Sequence, residues 1–326
     1  MMRNLWTQCK EINPLAVHTY FDVVRCWLKK PLSRQELAVL NRHCAGGVKA
    51  ENGPAWFNWS YRQKLTLYQP TNEALRFLLA RNDLLLNYVE ITVEWIMPDE
   101  TATRQILYLF NGHYVQPWHR KQEFVIYPDG ASTRASPNPT QRRSGRWFQW
   151  YGDRPSKITG EVPCFRFEAK YQGNQALCHS TRRGRIHTVA DLLNFDHRAF
   201  WARQLNFFAL DLERLGRFHL NRLSGSRRRK PRLQPRAYNR DRALGSVLYR
   251  HFARNRGKQW LFTLQDFVDR YGRGPFLQRL DVNDLPIFHT LLHEHINIPQ
   301  TSQETPLSLT LSLNRPSIEV PHESTA

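Results

Sequence analysis

Acidic side chains are scarce in this chain of 326 residues: 28 Asp and Glu stand against 47 Lys and Arg, leaving a formal charge of +19 and a pI near 10.1. A surplus that large repels itself unless a polyanion neutralises it, which points to nucleic acid. An anionic membrane surface could serve, but it asks for an amphipathic helix with a basic face or a lipidation signal, and neither is legible. No stretch approaches the roughly twenty apolar residues of a membrane span. Met1 to Lys10 hold no long apolar run ahead of a small-residue cleavage site. The expectation is a cytoplasmic protein with no membrane partner.

Patterned cysteine is missing too. Cys9, Cys26, Cys44, Cys164 and Cys178 are odd in number, widely spaced and without a C-x-x-C pair, which argues against a disulfide framework and against a zinc finger. There is no G-x-x-x-x-G-K-S/T and no G-x-S-x-G, so nucleotide hydrolysis and serine-hydrolase chemistry have no support. Apolar residues are not lacking: at 41% of the chain they are enough for a core.

The pattern of what is there reads as α+β, a mainly antiparallel sheet with packed helices, plus a small C-terminal helical appendage and a disordered tail. Phe21, Val24, Trp27 and Leu28 recur at helical spacing, so residues 1–50 read as a helical lead-in, with Ser33 and Glu36 forming a capping box for a second helix. The core is expected over 51–216. Its strands are Tyr61–Tyr68, Leu86–Ile96, Gln105–Phe110, Phe124–Tyr127, Trp147–Tyr151 and Pro163–Tyr171, with a helix over Glu73–Leu79 and a mobile basic loop over 131–146. A long amphipathic helix runs from Asp196 to Gly216 on the spacing of Phe200, Leu205, Phe208, Leu212 and Leu215. The linker, 217–242, carries nine basic residues and one acid between 222 and 242. Short helices over Leu244–Phe252, Leu264–Tyr271 and Pro286–His295 make a small domain, 243–296, and 297–326 is the tail.

Two features carry chemistry. Residues 142–157 interleave Arg142, Arg143, Arg146, Arg154 and Lys157 with Trp147, Phe148, Trp150 and Tyr151, the pairing that neutralises phosphates while stacking unpaired bases. The same aromatics could instead be core, with the arginines on a solvated rim. Strand period puts Tyr88, Glu90, Thr92 and Glu94 on one face of Leu86–Ile96, and Arg166, Glu168 and Lys170 on one face of Pro163–Tyr171. Carboxylates in strand interiors need partners: a divalent cation, Mg2+ or Mn2+, or the abundant arginines. His113 and His119, in NGHYVQPWH, are near enough in sequence for one to add an imidazole.

Tyr151-Gly152-Asp153-Arg154-Pro155-Ser156, followed by Arg166-Phe167-Glu168-Ala169-Lys170, resembles the aromatic-Gly-x-Arg-x-Ser and R-x-E-x-K signatures of rolling-circle replication initiators of plasmids and filamentous phages. Asn87-Tyr88-Val89-Glu90 resembles that family's first acidic strand. The resemblance covers about residues 56–210. It implies a DNA-binding initiator that nicks one strand of an origin through a tyrosine. Glu90 and Glu168, with His113, would hold the metal; Arg154 and Ser156 would approach the DNA backbone, joined by Arg166, Lys157 and the run Arg227, Arg228, Arg229 and Lys230.

Plasmid members place the tyrosine on the helix after the glutamate strand, but residues 187–216 contain none, and a His-hydrophobic-His triad is missing. Tyr171 and Tyr249 are the substitutes. These departures leave two other readings open: a noncatalytic DNA-binding or regulatory protein on the same scaffold, and an RNA-binding protein.

Overall fold

The computed structural model describes residues 2–53, 60–115, 123–126, 132–136, 145–178, 185–210 and 277–293. The basic linker, the helices expected at 244–252 and 264–271, and the tail lie outside the described residues.

One sheet of eight strands organises what is described. In chain order come α1 (Met2–Cys9), β1 (Ala16–Leu28), α2 (Arg34–Arg42), β2 (Val48–Asn52), β3 (Gln63–Tyr68), α3 (Asn72–Leu79), β4 (Leu84–Ile96) and α4 (Glu100–His113). They are followed by β5 (Glu123–Ile126), β6 (Ser132–Ser136), β7 (Gly145–Tyr151), β8 (Cys164–Gln172), α5 (Asn174–Cys178), α6 (Val189–Leu193), α7 (His197–Gln204), β9 (Phe208–Leu210), β10 (Leu277–Arg279) and α8 (Pro286–His293). The large sheet runs β2-β3-β1-β4-β8-β7-β6-β5, antiparallel throughout; β9 and β10 form a separate ribbon. The α+β expectation holds.

The two faces of this sheet differ because its central strands alternate strictly. Val89, Ile91, Val93 and Trp95 of β4 join Phe165, Phe167, Ala169 and Tyr171 of β8 and Phe148 and Trp150 of β7 on the apolar side, all buried. Helices close over them. Phe110 of α4 sits 4.8 Å from Phe165 and 5.0 Å from Phe167, ring centre to ring centre; Trp201 of α7 is 5.1 Å from Phe167. The Trp95 indole donates to the Ile287 carbonyl of α8 at 2.8 Å, so its polar edge is satisfied inside the core.

Several expected elements are corrected. Residues 16–28 are not helix but β1, the strand between β3 and β4. A β-bulge shifts the β1–β4 register between Phe21 and Val23, so the core-facing positions run Val17, Thr19, Phe21, then Val24, Cys26, Leu28. The three-residue step across the bulge mimics a helical period. Residues 105–110 belong to α4, opened by Asp99, whose side chain accepts from the Ala102 amide at 2.7 Å. Part of the expected loop at 131–146 is β6. The helix from Asp196 ends at Gln204, and Phe208 lies in β9. The Ser33 capping box is present, with Glu36 Oε2 accepting from the Ser33 amide at 2.7 Å.

Candidate metal centre

On the opposite, polar face the same alternation gathers charge. β4 presents Tyr88, Glu90, Thr92 and Glu94, and β8 presents Arg166, Glu168 and Lys170. β1 pairs His18 with Glu94 and Tyr20 with Thr92. Asp22, the extra residue of the bulge, would be the next on that face, and its carboxylate joins the group. One oxygen each from Asp22, Glu90 and Glu168 lie within 4.8 Å of one another, on three adjacent strands, and all three residues are buried.

The loop from Gly152 to Pro163 forms a cap on this face, and Glu94 fixes it there. Glu94 Oε1 accepts from Arg166 Nε at 2.6 Å and from the Lys157 amide at 3.0 Å, while Oε2 accepts from Ser156 Oγ at 2.7 Å. Arg166 Nη2 donates to the Pro155 carbonyl at 2.6 Å. Ser156 Oγ in turn accepts from the amides of Ile158 and Thr159 at 3.1 Å each, closing a tight turn. The glycine of this motif has a packing reason: a Cβ on Gly152 would come within 3.3 Å of Thr103 on α4.

Held by that turn, Lys157 reaches down to the acids. Its ammonium pairs with Asp22 Oδ2 and lies 3.9 Å from Glu168 Oε1. Lys170 lies 3.2 Å from Glu90 Oε1 and 2.7 Å from Glu168 Oε2. Three carboxylates against two ammoniums leave one negative charge unbalanced in a buried place. The electrostatics follow. Burial, reinforced by Glu90 and only partly offset by Lys157, pushes the Asp22 carboxyl up to about 6. Burial alone would lower Lys170, but Glu90 and Glu168 more than reverse this and hold its ammonium above the ordinary lysine range.

Tyrosines surround the group. The Tyr88 hydroxyl donates to Glu90 Oε2 at 2.6 Å, and burial together with that carboxylate raises its pKa. Tyr151 is raised by burial and by Glu168, and Tyr20 by burial and by Glu94 and Asp22. Arg154 caps the Tyr151 ring at 4.5 Å, Arg25 the Tyr88 ring at 4.9 Å, and Trp147 packs 6.0 Å from Tyr88.

The structure thus brings Glu90, Glu168, Tyr151, Arg154, Ser156, Lys157, Arg166 and Trp147 to one side. Arg166 and Ser156 are buried there as struts of the loop rather than open to a ligand. Four other candidates are corrected, the first being Arg146, which pairs with Tyr171 on the side of Phe148 and Trp150 and not on the acidic face. His113 is on α4, against the apolar face, with its Nδ1 2.8 Å from the Phe208 carbonyl. Tyr171 points to the apolar face as well, buried beside Phe200, with Arg146 5.8 Å over its ring. Trp150 is core, its indole donating to Asn111 Oδ1 at 2.8 Å. His119, Arg142, Arg143, Arg227, Arg228, Arg229, Lys230 and Tyr249 lie outside the described residues.

Sequence reasoning missed Asp22, because the strand that carries it read as helix, and missed that Lys157 and Lys170 neutralise the acids. The strand alternation of β8 already placed Lys170 on the face of Glu168.

The residues fit a hard divalent cation: the donors are carboxylate oxygens, close together, buried and short of positive charge. Among the described residues this is the one such group of three.

Fold and site together define an α+β protein with one wide antiparallel sheet and an acidic centre buried on its polar face. No protein-family model and no curated protein matches the chain. Among solved structures, a rolling circle replication initiator protein from Geobacillus stearothermophilus aligns over 49% of this chain and 76% of its own, with 9% identity and a TM-score of 0.30. No helix among the described residues is long and apolar enough to cross a membrane.

Proposed function

We propose that this protein is a DNA replication initiator that cuts one strand at an origin, using a tyrosine together with Mg2+ or Mn2+ held by Asp22, Glu90 and Glu168. The observation that carries the reading is the meeting of those three carboxylates within 4.8 Å on a face they share with Tyr88, Tyr151, Lys157 and Lys170. The motif resemblance and the charge of +19 support a polyanionic strand as the substrate.

A bound cation would supply charge stabilisation at the phosphate under attack. The chain's own residues do the rest. A phenolic oxygen forms a bond to phosphorus; the bond from phosphorus to the 3′ oxygen of the preceding nucleotide breaks. The phenol gives up its proton, that 3′ oxygen takes one up, and the strand keeps a protein-linked 5′ end. Two tyrosines are the candidates. Tyr88 already hands its hydrogen bond to Glu90 Oε2, a proton acceptor in place. Tyr249 is followed by Arg250 and His251 in the sequence. Arg154, exposed above Tyr151, would meet phosphate oxygens, and Lys157 would join it once its ammonium left Asp22 and Glu168.

The test is incubation of the full chain with Mn2+ and either single-stranded or supercoiled DNA carrying its origin. A covalent protein–DNA adduct is expected, absent with a chelator, reduced at least about 10- to 100-fold by Glu90→Gln or Glu168→Gln, and lost with one of Tyr88→Phe or Tyr249→Phe. No adduct under any of these conditions, with binding intact, would leave the second reading: a DNA-binding protein that does not cut. One observation favours that alternative, the pairing of all three acids with Lys157 and Lys170.

A further inference from the structure

The two lysines of the acidic centre are not equivalent. Lys170 rises from the middle of β8 and is enclosed, its side chain 13% exposed; Lys157 enters from the capping loop and is 36% exposed. The Lys157 backbone is pinned separately, through its amide to Glu94 Oε1 at 3.0 Å and through the Ser156 turn. Its side chain can therefore leave the acids without the loop moving, whereas Lys170 has no such route. Charge points the same way. Adding a doubly positive ion beside both ammoniums would turn one surplus negative charge into one surplus positive charge at a buried place. Releasing one ammonium brings the three carboxylates, the ion and the remaining lysine to neutrality.

Resting on the reading of Asp22, Glu90 and Glu168 as a cation site, we propose that Lys157 and the divalent cation are alternative occupants of that site. In the metal-free protein the Lys157 ammonium neutralises Asp22 and Glu168; on metal entry it swings out to solvent. There it stands three residues from Arg154 on an exposed loop, so metal loading presents a second cation to a bound phosphate strand. The device lets the acids fold without metal, and it makes the affinity for metal depend on the fraction of molecules with Lys157 withdrawn.

Two measurements on the full chain test this. Mn2+ binding is followed by the paramagnetic resonance of the free ion, for wild type and for Lys157→Met. If the withdrawn form is one molecule in ten or fewer, the variant binds at least about tenfold more tightly. Removing a positive charge would tighten binding to some extent by itself, so the deciding arm uses wild-type protein only. Lysines are acetylated briefly with acetic anhydride, with and without saturating Mn2+, and the modification at each is read by mass spectrometry. Mn2+ is expected to raise labelling of Lys157 severalfold while Lys170 stays protected. Mn2+ binding with no change at Lys157, or with Lys170 released instead, overturns the exchange and leaves the metal site standing. No Mn2+ binding by the wild type overturns both. Should Lys157→Met fail to fold, the labelling arm is unaffected.

Discussion

Glu94 shows how a single carboxylate can govern a site without belonging to it. It is fully buried and accepts three hydrogen bonds, from Arg166 Nε, the Lys157 amide and Ser156 Oγ. Both its oxygens are engaged, Oε1 by Arg166 and the Lys157 amide and Oε2 by Ser156, so it is a strut rather than a ligand. Replacing Glu94 with Ala would strand the buried Arg166 guanidinium and free the loop. A loss of about 3–5 kcal/mol is expected in urea unfolding, with Arg166→Met Glu94→Leu less destabilised than either single change. His197 gives a pH signature of a different kind. It is buried between Phe21 and Phe195, ring centres 5.0 and 4.9 Å away, and burial pushes its imidazole down to about 4. The unfolded chain takes up a proton near pH 6.5, the folded one only near 4. The stabilisation from keeping the ring neutral is therefore fully present above about 6.5 and is lost as pH falls from there to about 4, about 3 kcal/mol in all. Unfolding free energies at pH 7 and pH 4.5 should converge in His197→Phe relative to wild type; an unchanged pH dependence would contradict the burial argument.

At the scale of elements, the bulge in β1 is what makes the site. Regular pairing would oppose one residue of β1 to Glu90; the bulge opposes two, and the extra one is Asp22. Deleting Asp22 should restore regular pairing across Glu90, leaving the second register shift, between Arg25 and Cys26, as it is. The circular dichroism of the fold is expected to persist while Mn2+ affinity falls at least tenfold, on the scale of a lost ligand. Collapse of the fold would mean the bulge serves the sheet and not the acids. The same feature explains what could be read from the residues in advance. β4 and β8 were legible because their alternation is unbroken where they pair, from Tyr88 to Ile96 and from Cys164 to Gln172. Glu90 and Glu168 could therefore be put on matching faces. β1 was not, because its core positions change parity at the bulge and imitate a helix. Gln105–Phe110 failed for another reason: six residues with four apolar ones do not distinguish a buried strand from a turn of helix, and the Asp99 cap decided it. The contacts to Glu94, two from the loop and one from β8, join residues 62 to 72 positions apart, which no local pattern announces.

For the whole molecule, the balance of charge separates two roles. Within the acidic centre, cations neutralise buried acids and contribute little to the outside field; the surplus behind the chain's net charge of +19 therefore lies outside the centre, free to meet a polyanion. DNA binding should weaken about a thousandfold or more between 50 and 200 mM salt if six or more phosphates are contacted, measured by fluorescence anisotropy of a labelled strand. A flat response would exclude nucleic acid as the main partner. The deletion of 222–242, with its nine basic residues, is expected to weaken binding to all sequences alike.

The sheet, the loop and the charge converge on one atomic arrangement, and anomalous diffraction at the manganese edge from crystals grown with Mn2+ tests it most directly. A peak is expected, bounded by one carboxylate oxygen each of Asp22, Glu90 and Glu168, with the Lys157 ammonium displaced. Saturating Mn2+ with no peak there, and Lys157 still seated on Asp22, would contradict it.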